Sequence, residues 1–65
     1  MRFILELQCD NLAFGETNAE RGQELARILR SAASYLEADG CGEGDSRRLM
    51  DGFGNSVGFY EVTDG

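Results

Sequence analysis

The residues of this chain that could carry chemistry are almost all carboxylates. Twelve Asp and Glu stand against six Arg, with no Lys and no His, for a formal charge of −6. A carboxylate pair at helical spacing, such as Glu16 and Glu20, does acid–base work only in a pocket that moves a pKa. Ser, Thr, Cys9 and Cys41 are the available nucleophiles, and no histidine is present to activate them. GFGNSVGF places glycines at 52, 54 and 58, which invites comparison with a phosphate loop. The spacing misses G-x-G-x-x-G by one, no Lys-Ser/Thr pair follows, and Gly58 falls inside a strand pattern. DGCGEG, from Asp39, opens like a calcium loop, but Cys41 and Met50 stand at positions that need oxygen ligands. No enzymatic chemistry, cofactor or metal centre is expected.

Positioning these groups requires a fold, and 65 residues allow one small domain, 1–65, with a thin core. Phe3, Leu5 and Leu7 alternate with Arg2, Ile4, Glu6 and Gln8, as in a strand with one buried face. CDNLAFGET breaks that period, and Leu12 and Phe14 are expected to tuck down and close one end of the core. Thr17 and Glu20 have capping-box spacing, so a helix should start with Thr17 as N-cap. Leu25, Ile28, Leu29, Ala32 and Leu36 fall on its apolar face, Gly22 would allow close approach to a strand, and Gly40 ends it. Leu49 and Met50, then DGFGN, then SVGFYEV read as a β-hairpin, with Gly52, Gly54 and Asn55 supplying positive φ angles.

The expected fold class is α+β: a β-α-β-β order, a three-stranded antiparallel sheet in order 1-3-2, and one helix packed on one face. In the last strand Gly58, Tyr60 and Val62 are expected to face the helix, because this set buries no carboxylate and puts a glycine where the helix must approach. Ile4, Met50, Val57 and Phe59 would then lie on the open face, as isolated apolar residues or as a dimer surface. Cys9 and Cys41 fall at opposite ends of the helix, which spans about 30 Å, too far for a disulfide.

This topology sorts the acids into two ends. Asp10, Glu16, Glu20, Glu24 and Asp51 should converge at the top, beside Phe53 on the hairpin tip, with Arg21 the main opposing charge and with Glu20 and Glu24 opposite the helix's apolar face. Glu37, Asp39, Glu43 and Asp45 form a second acidic cluster at the bottom, partly offset by Arg2, Arg47 and Arg48. Phe53 either anchors a partner or folds back onto Leu12 or Phe14. The net negative field disfavours nucleic acid and anionic membranes and favours a basic protein surface. The first residues lack a signal-peptide pattern, so a cytoplasmic location is expected.

CDNLAF, ELARILR and GNSVGFYEV resemble stretches of small acidic proteins encoded by phages, prophages and mobile elements of GC-rich bacteria. Some of those are anti-CRISPR proteins that bind an effector complex where DNA would bind, their carboxylates standing in for phosphates. The resemblance implies an inhibitor that occupies a basic groove. The mixed charge of the outer helix face places any such mimicry at the acidic top end or along a sheet edge. A homodimerising structural or regulatory module using Ile4, Val57 and Phe59 is the alternative, and the sequence leaves monomer against homodimer open.

Overall fold

A computed structural model describes residues 1–65. Strand β1 (Arg2–Leu7) is followed by a 3₁₀ turn (Leu12–Phe14), helix α1 (Asn18–Asp39), and the hairpin strands β2 (Ser46–Met50) and β3 (Ser56–Thr63). The strands form one antiparallel sheet in the order β1-β3-β2, with the helix on one face. The fold is therefore the α+β arrangement that the polarity pattern predicts.

The helix begins where the sequence supplies a cap. Thr17 accepts from the Glu20 backbone N–H, and the Glu20 side chain reaches back to the Thr17 N–H, satisfying two otherwise orphaned donors. It ends at Gly40, whose N–H donates to the Leu36 carbonyl. The apolar face buries Ile28 and Ala32 against Phe14, Leu49, Val57 and Tyr60, with Leu25 and Leu36 half-buried beside them. Each of the larger side chains contributes about 1.5–3 kcal/mol on burial, so a core this small depends on nearly every one. Leu29 departs from the expected face and is 48% exposed. The buried stripe runs along Leu25, Ile28, Ala32 and Leu36, and Leu29 lies just past its edge.

Val57 also departs from expectation, because it is buried in the core rather than set on the open face. Leu49 pairs with Gly58 and Met50 with Ser56, so β3 carries one extra residue at Val57. That bulge turns Val57 toward the helix, alongside Tyr60 and Val62, without burying Glu61. The open face is left with Ile4, Met50 and Phe59 interleaved with Glu6, Arg48 and Glu61.

Two glycines have different roles from those expected. Gly22 has open space where a side chain would stand, so no strand approaches it. At Gly58 the close neighbour is β1 and not the helix: a Cβ there would collide with the Glu6 carbonyl and come within 2.9 Å of the Leu7 side chain. Cys9 is half-buried against the core, Cys41 is exposed, and both are free.

Candidate functional site

The acidic top end is built around Asp51. It follows β2 directly and is 4% exposed, the single buried charged side chain of the fold. Its Oδ1 accepts from the backbone N–H groups of Phe53 (2.8 Å) and Asn55 (2.9 Å). Its Oδ2 accepts from the side-chain amides of Asn11 (2.8 Å) and Asn55 (3.3 Å). Two backbone bonds close the same turn, Asp51 N–H to the Asn55 carbonyl and Gly54 N–H to the Asp51 carbonyl. Burial alone would raise the carboxyl pKa. The donors from Asn55, Phe53 and Asn11 outweigh that and hold it below the ordinary aspartate value. GFGNSVGF is thus a hairpin turn and the start of a strand. Gly54 is the turn residue with positive φ, at 84°, whereas Gly52 and Asn55 do not adopt it.

Asn11 links this turn to the segment after β1. Its Oδ1 accepts from the Ala13 N–H while its amide donates to Asp51, so one side chain caps the 3₁₀ turn and ties it to the hairpin. The 3₁₀ turn points Phe14 into the core at 1% exposure and leaves Leu12 at 86%. Residues two apart in a three-residue turn face different directions, so both could not enter the core. That geometry overrules the expected inward Leu12.

Glu24 is also corrected. It was expected on the outer helix face, yet its side chain is only 12% exposed because it turns to the hairpin. It accepts from the Gly52 N–H at 2.7 Å and holds Arg27 with both oxygens, at 2.9 and 3.0 Å. The bond from Arg27 is the main cause of its depressed pKa, with burial opposing and the Gly52 N–H assisting. Glu20 is exposed, but its Oε1 accepts from Glu16 N–H, Thr17 N–H and the Thr17 hydroxyl. The Glu16 and Thr17 backbone donors hold its pKa below the ordinary glutamate value.

Of the five carboxylates assigned to this end, Asp51 is therefore enclosed by the turn it organises, and Glu24 and Glu20 are partly committed to internal bonds. Asp10 and Glu16 are exposed and make no ion pair. Phe53 is held out at 70% exposure, on a turn fixed from both sides. The second cluster does not form a ligand cage. Asp39 pairs with Arg47 at 2.7 Å, Arg47 lies 4.0 Å above the Tyr35 ring, and Asp45 accepts from the Gly42 N–H. Glu37 and Glu43 stand apart in solvent, and no group of three potential metal ligands converges anywhere.

Sequence reading missed Asn11 and gave Asn55 only a backbone role in the turn, although their two amides complete the Asp51 network. The available signal was local: CDNLAF and DGFGN both carry the Asn or Asp that precedes an Asx-type turn. That the two turns face each other is set by the sheet order, which only the assembled fold displays. No helix is long and apolar enough to cross a membrane. Comparison with protein families, curated protein sequences and solved structures finds no match.

Proposed function

We propose that this chain is a non-enzymatic inhibitor of the small acidic phage-protein kind, which binds a basic, nucleic-acid-handling surface of a protein partner. The observation that carries the reading is Phe53. A large aromatic is kept 70% exposed on a turn whose Phe53 and Asn55 N–H groups are held by the buried Asp51 carboxylate and whose Gly52 N–H is held by Glu24. Folding gains little from such an exposed ring, whereas a pre-positioned aromatic is what a binding hot spot requires. Asp10 and Glu16 supply unpaired negative charge at the same end and steer a basic partner toward it. A CRISPR effector complex, whose DNA-binding groove is basic, fits both the charge and the resemblance.

The DNA-mimic component narrows to those free carboxylates. Glu24 is neutralised by Arg27 and Asp51 is enclosed, so an extended row of phosphate-like charges is not presented. A dimer through the open sheet face is the less favoured reading. Val57 is in the core, and Glu6, Arg48 and Glu61 interrupt the apolar residues that remain.

Affinity capture from a bacterial extract, followed by titration of the captured complex, tests the reading. Phe53→Ser should weaken binding about tenfold or more, as for a hot-spot aromatic. Asp10→Lys with Glu16→Lys should slow association and reduce its salt dependence. Equal retention of the Phe53→Ser variant, or binding that is indifferent to salt, would move the interface away from this end.

A further inference from the structure

The exposed Leu12 is not explained by folding, and it borders a shallow groove between the 3₁₀ turn and the first turns of α1. Leu12 and Gly15 line it from one side, Glu20 and Gln23 from the other, and the Glu24–Arg27 pair closes one end. The bonding of Glu20 is lopsided. Three internal donors, at 3.0, 3.0 and 3.1 Å, converge on Oε1, and Oε2 accepts no hydrogen bond. Gly15 allows this closeness, since a Cβ there would stand 2.6 Å from that of Glu20. The groove's own cation, Arg27, is held by both oxygens of Glu24, so Glu20 supplies the groove's remaining formal charge.

We infer that this groove receives an arginine side chain of the partner protein, its aliphatic stem along Leu12 and its guanidinium on Glu20 Oε2 and the Gln23 amide oxygen. The inference deepens the protein-binding reading above and rests on it. Arginine fits better than lysine because its planar fork can donate to two acceptors at once while its stem packs on an apolar surface. A phosphate backbone or an anionic membrane would meet the same negative end and be repelled. A metal ion lacks the three converging ligands it would need. The bottom acidic cluster offers a built-in control, because Asp39 is already paired with Arg47 and Asp45 is committed to its loop.

Amide chemical shifts of the full chain, followed during titration with a nona-arginine peptide and separately with a nona-lysine peptide, test the assignment. Saturable shifts should centre on Leu12, Gly15, Glu20 and Gln23, with the arginine peptide binding about fivefold or more tightly. Leu12→Ser and Glu20→Gln should each weaken the arginine peptide by about fivefold to tenfold. Glutamine also serves at the third position of a capping box, so unchanged amide shifts outside the groove for free Glu20→Gln, recorded below its melting temperature, separate lost charge from lost fold. Shifts of equal size in Glu37–Asp45 would reduce the effect to bulk charge and overturn the inference. If Phe53→Ser abolishes binding and Leu12→Ser does not, the groove assignment fails while the acidic-end reading stands. An absence of saturable shifts at this end would overturn both.

Discussion

At the scale of single residues, Asp51 is the most consequential side chain of the molecule, and its role is architectural. A carboxylate removed from solvent must be matched by donors, and here two backbone N–H groups and two amides supply them. The folded-state pKa values of Asp51, Glu20 and Glu24 all lie below their ordinary values. The unfolded chain therefore binds more protons in the carboxylate range, and stability falls as pH falls. The stabilisation is complete above about pH 5 and is lost as pH drops through about 4 toward the depressed values. Asp51→Asn should lower the melting temperature at neutral pH more than Glu37→Gln or Glu43→Gln does. It should also flatten the decline of stability below about pH 5. Thermal melts across that range check both, and an unaltered pH slope would mean that Asp51 is not the group being protonated.

At the scale of elements, the helix and its ends were legible because their signals are local. Thr17, Glu20 and Gly40 state the boundaries in the sequence itself, and the 3.6-residue period marks Ile28 and Ala32 as core. Alternating polarity likewise gave β1, and the up-down course of strand, helix and hairpin gave the sheet order. What escaped were features created by one element acting on another. The β-bulge that carries Val57 into the core arises from the pairing of β2 with β3, and strict alternation along β3 cannot reveal it. The turn of Glu24 toward Gly52 depends on where the hairpin tip docks on α1. Two glycines make this distinction measurable. Gly22→Ala enters open space in the helix and should stabilise the chain by about 1 kcal/mol in denaturant titration. Gly58→Ala should force β1 away from β3, because its methyl would meet the Glu6 carbonyl, and should abolish the cooperative transition. Comparable stabilities for the two variants would contradict the packing described here.

At the scale of the whole molecule, one thin layer pair holds out an aromatic at one end and leaves the carboxylates of Asp10 and Glu16 unpaired there. The candidate site was only half legible in the sequence. Phe53 and the acidic residues were nameable from composition and order, but whether Phe53 folds back depended on the Asn11–Asp51 link between segments 40 residues apart. That link ties the tip to the segment after β1, while Asp51 is engaged by the turn, Glu24 by the Gly52 N–H and Glu20 by its own capping box. The role proposed for the exposed Phe53 is to displace nucleic acid from a basic protein surface. Its most direct test is a DNA-binding assay on the captured partner complex, with increasing amounts of the wild-type chain or of Phe53→Ser. Wild type should release the DNA in proportion to occupancy, and Phe53→Ser should require about tenfold more protein for the same release. DNA that stays bound at saturating wild-type protein, or equal release by both chains, would contradict the account.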